Sequence, residues 1–172
     1  MENITDDKLI PVTNFMNHKV VFALPEYNRR YAFNAYEKKQ IPAGQLRALN
    51  SSNGGHVLLM DYLHVGSVPL AHELGVPEDC IEYNWTKTDV DNCLLKEPIE
   101  VLEDALDFAP KGIVEMLKDR AVELEIADNN KRTAIFEATG ADITNIIANK
   151  HLSETVTPAP EHRQRRVRRV NR

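Results

Sequence analysis

Six arginines stand together near the C-terminus: Arg163, Arg165, Arg166, Arg168, Arg169 and Arg172. A guanidinium presents paired donors to a phosphate and a flat face for stacking on bases, so such a run suits nucleic acid. Set against one acid, Glu161, the six give residues 161–172 a net +5. The whole chain carries −5, which leaves −10 on residues 1–160. Thr155 to Pro160 precedes the run as a Pro/Thr spacer, and its two prolines favour extended backbone. The run itself has no lysine, no aromatic and two valines, too little to build a core, so it is expected to order only against a partner. Three partners compete: nucleic acid, an acidic groove of another protein, and the chain's own acidic body. A body this acidic repels DNA, so nucleic-acid contact would be confined to the arm, with a log–log salt slope of roughly −5.

Other residue types offer less. The histidines, His18, His56, His64, His72, His151 and His162, include neither an HExxH helix nor a CxxC knuckle. Asp61-x-x-His64 and His151-x-x-Glu154 set a carboxylate and an imidazole three apart, a spacing that arises readily without metal. Cys80 and Cys93 have no second pair and read as buried, inert thiols. Asp128-Asn-Asn130 and Asp89-Val-Asp-Asn92 begin like calcium loops but lack the glycine at position six, and are better helix caps. Glycine-rich phosphate cradles and nucleophile elbows are missing. Glu103, Asp104 and Asp107 fall on the polar side of an amphipathic helix and read as a solvated acidic face. No catalytic residue, metal or cofactor is therefore expected, and the chain reads as non-enzymatic.

The elements that would carry these groups follow from patterning. With 172 residues, 42% apolar and 27% charged, the chain suits one domain or two small ones. No stretch approaches the ~18 apolar residues of a membrane-spanning helix, so no membrane partner is expected. The opening residues lack the features of a signal peptide and the cysteines are few, so a reducing intracellular setting is the expectation. Nine of the eleven aromatics precede Thr86. Lys19–Leu24 reads as a strand, Pro25–Asn28 as a turn, Arg30–Phe33 as the returning strand and Glu37–Ile41 as a third, a small antiparallel meander. Pro42 opens a helix through Leu46 and Leu49, and Ser51–Gly55 is a turn. Periodicity leaves Val57–Val65 open between strand and buried helix. Val68–Leu74 is a short helix with Gly75 as its C-cap.

From Thr86 onward the pattern is helical. Thr88 precedes the first-turn acids of one helix. Pro98 opens the next, with Ile99, Leu102, Ala105 and Leu106 on one stripe. Pro110 opens a third through Ile113, Leu117, Ala121 and Leu124. Asp128 caps a fourth that stops at Gly140, and Asp142 caps the last, with Ile143, Ile146 and Ile147 inward. The expected class is α+β: a small antiparallel β-meander in the N-terminal half, a compact helical half, and an extended basic C-terminal arm. The expected divisions are an N-terminal segment 1–18, a β-containing subdomain 19–85, a helical subdomain 86–154, and the spacer and arm 155–172.

Leu117 to Thr139 also has the helix–extended–helix layout of small DNA-binding modules, although Glu123, Glu125, Asp128 and Glu137 make it more acidic than those modules usually are. Over residues 19–150 the chain resembles small structural proteins of large tailed bacteriophages. The residues behind the likeness are the strand–turn–strand opening, Glu37-Lys-Lys-Gln-Ile41 leading to Leu46, the Gly54-Gly55 turn, Leu106-Asp-Phe-Ala-Pro110 and the Ile113–Ile126 helix. The resemblance implies a virion-associated adaptor, present in the host cytoplasm during assembly. It would dock on capsid or head–tail subunits, with the arm holding a neighbouring subunit or packaged nucleic acid. The alternative is a soluble nucleic-acid-binding regulator acting through the arm.

Overall fold

The computed structural model describes residues 4–155. The basic arm expected from the sequence, with Arg163, Arg165, Arg166, Arg168, Arg169 and Arg172, lies outside these residues. Antiparallel strands in two small sheets are followed by helices, an α+β architecture.

The strands are β1 (Leu9–Asn14), β2 (Val20–Leu24), β3 (Arg29–Phe33), β4 (Lys38–Pro42) and β5 (Leu63–Val65). β2 and β3 form a hairpin with Val20 opposite Phe33 and Leu24 opposite Arg29. Its turn is the expected Pro25–Asn28, where Asn28 takes a left-handed φ of 48°. Strict alternation buries Val20, Phe22 and Leu24.

The third expected strand exists but does not extend this hairpin into a meander. β4 pairs with β1, Ile10 opposite Ile41, and β5 closes the other side of β1 with Val12 opposite Val65. Residues 1–18, set apart by the sequence pattern, thus supply the central strand of a second sheet. Two local features redirect the chain. Tyr36 adopts a left-handed φ of 56°, and its N–H donates to the Met16 carbonyl. Asn14, wholly buried, donates to the carbonyls of His18 and Asn34 and accepts from the Met16 N–H. Together they hold the 34–37 loop against the end of β1.

Five helices and a wide turn complete the first half and begin the second. α1 (Ala43–Ser51) follows Pro42, and α2 (Gly55–Val57) runs into a π-type turn over Leu58–Tyr62 before β5. Val57–Val65 is therefore helix and strand in succession. α3 (Val68–Leu74) ends at Gly75, whose φ of 112° suits glycine. A 3₁₀ turn, Ile81–Asn84, leads to α4 (Lys87–Leu95) and α5 (Ile99–Phe108). Thr86 caps α4, so Thr88 already lies inside the helix: the Thr86 hydroxyl accepts from the Asp89 N–H while the Asp89 carboxylate accepts from Thr86, a reciprocal box.

α6 (Lys111–Glu123), α7 (Asn129–Thr139) and α8 (Ile143–Thr155) follow. Asp128 and Asp142 accept from N–H groups of α7 and α8 as expected, and α7 stops at Gly140. On α8, Ile143 and Ile147 are buried but Ile146 faces outward, against the expectation. No helix among the described residues is long and apolar enough to cross a membrane.

Two apolar clusters result. One joins the sheets to α1, α3 and Tyr83; the other joins α4–α8. Phe15, at the end of β1, belongs to the second while its neighbour Met16 belongs to the first. The two cores therefore meet at a seam.

Candidate functional site

The seam is built from few side chains. Tyr83 is buried, and its hydroxyl accepts from the Val65 N–H at 3.0 Å, with the carbonyls of Leu59 and Leu63 each 3.1 Å away. It ties the wide turn and β5 to the Ile81–Asn84 turn, and burial pushes its phenol up to about 12. The His64 ring packs 5.3 Å from Tyr83 and 5.5 Å from Phe15, bridging the cores, and burial holds its pKa below the usual value. Gly112, in the first turn of α6, lies so close to Phe15 that a Cβ there would sit 2.5 Å from the Phe15 Cβ.

Beside the seam lies an open cleft of about 710 Å³ between the 75–83 loop and the end of α5. Phe108 and Ile81, 71% and 66% exposed, stand in its lining. The lining holds four acids, Asp61, Asp79, Glu82 and Asp104, and neither lysine nor arginine. Asp61 is paired across the rim with Lys111 at 3.1 Å. Cys80 also lines the cleft, partly exposed, while Cys93 is buried. Burial, joined by the nearby charges of Glu82 and Asp79, pushes the Cys80 thiol up; burial raises Cys93 to about 11. Both thiols are thus held protonated and poorly nucleophilic at neutral pH. Cys93 is buried as expected, whereas Cys80 is only partly so.

Three charged or polar residues of the described chain are buried: Asn14, Glu82 and Lys131. Asn14 satisfies its amide with three backbone groups, as above. Lys131 donates from Nζ to the carbonyls of Cys93, Leu94 and Glu97, at 3.0, 3.0 and 2.6 Å, closing the C-terminal end of α4. Glu82 differs: its carboxylate has no hydrogen-bond or ion-pair partner among the described residues.

The residues singled out by sequence are dispersed. The six arginines lie outside the described residues. Asp61 pairs with Lys111 while His64 packs against aromatics, and His151 meets Glu125 at 3.1 Å on another face. No group of three or more His, Cys, Asp or Glu among the described residues is arranged to hold a metal ion. In the helix–extended–helix stretch, the cations are committed internally: Lys131 as above, and Arg132 to the Ile126 carbonyl and the Thr144 hydroxyl. Glu103, Asp104 and Asp107 are exposed as expected, but Asp104 also faces the cleft. Sequence reasoning missed Glu82, because nothing local distinguishes it from any surface glutamate; its burial comes from docking the Tyr83 turn onto the first core.

Comparison of the chain with known protein families, curated proteins and solved structures finds no match.

Proposed function

We propose that the protein is a non-enzymatic adaptor of a tailed-phage particle, docking on other virion subunits through its body. Its arginine-rich C-terminus holds a neighbouring subunit or packaged nucleic acid. The observation that carries this reading is the separation of charge: +5 within residues 161–172 against −10 on the rest of the chain. A short, strongly cationic segment beyond a folded anionic body is suited to grasp an acidic surface while the body itself stays off the nucleic acid. Repetition of such a contact in a lattice multiplies its strength through effective concentration. Mass spectrometry of purified particles of the encoding phage tests this. Recovery of the chain at a fixed copy number is the expected result; its absence from the particle defeats the reading.

The same charge separation supports a second reading, a nucleic-acid-binding regulator that acts through the six arginines. Under it, the isolated protein binds duplex DNA with a salt slope of roughly −5 and loses binding on truncation after Pro160.

A further inference from the structure

Glu82 is 5% exposed, and its carboxylate is unpaired among the described residues. An ionised carboxylate withdrawn from water without a partner is costly, and native structures seldom retain one without a ligand or a role. Its oxygens are not sealed in: no fully occluded side-chain nitrogen or oxygen among the described residues lacks a partner. The unpaired Glu82 oxygens therefore keep some contact with solvent, and Glu82 is one of the residues lining the cleft. Asp79 and Asp104 line the same cleft, and neither forms an ion pair among the described residues, so acidic groups dominate the lining. Phe108 and Ile81 add apolar walls. A buried anion flanked by further anions and an exposed aromatic ring suits a guanidinium, which pairs with carboxylate through two donors and stacks on a ring face.

We propose that this cleft binds an arginine of the chain's own C-terminal segment, residues 161–172, with Glu82 as the anchoring carboxylate. Charge complementarity selects the occupant: the cleft lining has neither lysine nor arginine, and the chain's densest cationic run lies at residues 161–172. Length permits it, since residues 155–172 span roughly 55 Å when extended, whereas a compact body of ~150 residues has a radius of gyration of about 15 Å. Attachment to the same chain gives the segment an effective concentration near the millimolar range, which favours the chain's own cleft over that of another copy in dilute solution. The contact leaves the arm parked on the body until a more acidic surface competes for it. It does not depend on the virion reading.

Backbone amide NMR on the full chain tests the proposal. Three samples are compared: the native chain, a variant with all six arginines of 161–172 changed to Gln, and Glu82→Gln. The expected result is that both variants shift amides of the 75–83 loop and the end of α5. The same change appears in the native chain at high salt, and the native spectrum is independent of dilution. Unmoved cleft amides in the six-arginine variant overturn the proposal. So do shifts scattered over the exposed acids of other helices. Native shifts that fade on dilution assign the cleft to a second copy's arm and overturn the intramolecular assignment. If Glu82→Gln alone leaves the arm-dependent shifts in place, Glu82 is not the anchor.

Discussion

Lys131 and His64 show two ways in which a titratable side chain is committed to structure. Lys131 places an ammonium on three carbonyls at the end of α4, so its charge meets the negative end of that helix and satisfies acceptors that would otherwise be orphaned. Lys131→Met keeps much of the apolar stem but leaves those carbonyls without a donor. Urea denaturation should show a loss of roughly 1.5–3 kcal/mol, the range for hydrogen bonds to a charged group. His64 is held neutral instead. Its folded pKa lies below the ordinary 6.5, so the unfolded chain takes up a proton first as pH falls. Stability from this residue is present above pH 6.5 and is lost as pH drops through the folded value. Chevron or equilibrium midpoints at pH 7.5 and pH 5 should therefore differ more for the native chain than for His64→Phe. The phenylalanine preserves the ring stack with Phe15 and Tyr83 while removing the titration. Equal pH dependence in the two proteins would show that His64 contributes nothing to it.

At the scale of elements, the close approach of α6 to β1 holds the two cores together. Gly112 allows it: an added Cβ would crowd the Phe15 side chain and lie 2.9 Å from the Asp61 carbonyl oxygen. Gly112→Ala would gain helix propensity in α6, but the overlap forces α6 or Phe15 to move. A net loss of about 1–3 kcal/mol is expected, measured by thermal or urea unfolding. A neutral or stabilising result would mean that the seam yields without strain. Helix ends were the most readable elements, because Asp128, Asp142, Gly75 and Gly140 act through bonds within one turn. β1 was hidden by Pro11, which argues against a central strand. The structure accommodates it because the Pro11 carbonyl accepts from the Gly66 N–H, so its nitrogen faces the same edge, beyond the pairing of β5 that begins at Val12. The pairing of β4 with β1 was hidden as well, since it depends on Asn14 and the left-handed Tyr36 rather than on either strand's own pattern. Thr86 and Thr88 are equivalent as isolated caps, and only the bond pattern to Asp89 separates them.

For the whole molecule, charge is the property that links body and arm, and it was readable only in part. The arginine run and the net −10 are visible in the sequence, whereas the gathering of Asp79, Glu82 and Asp104 around one cleft requires the fold. If that cleft holds an arginine, nucleic acid must compete with the body for the arm. Both contacts are ionic, so low salt strengthens the competitor along with the binding being measured. The native chain should then show a salt slope for duplex DNA shallower than the roughly −5 available from six free arginines. Glu82→Gln removes the anchoring charge and frees the arm. Its DNA affinity, followed by fluorescence anisotropy, should exceed that of the native chain at low salt, with a slope closer to −5. The two curves should converge as salt rises and the internal contact is screened. Superimposable curves across the whole salt range would mean that the acidic body repels DNA without holding the arm. In that case the arginines are free to act outward at every salt concentration.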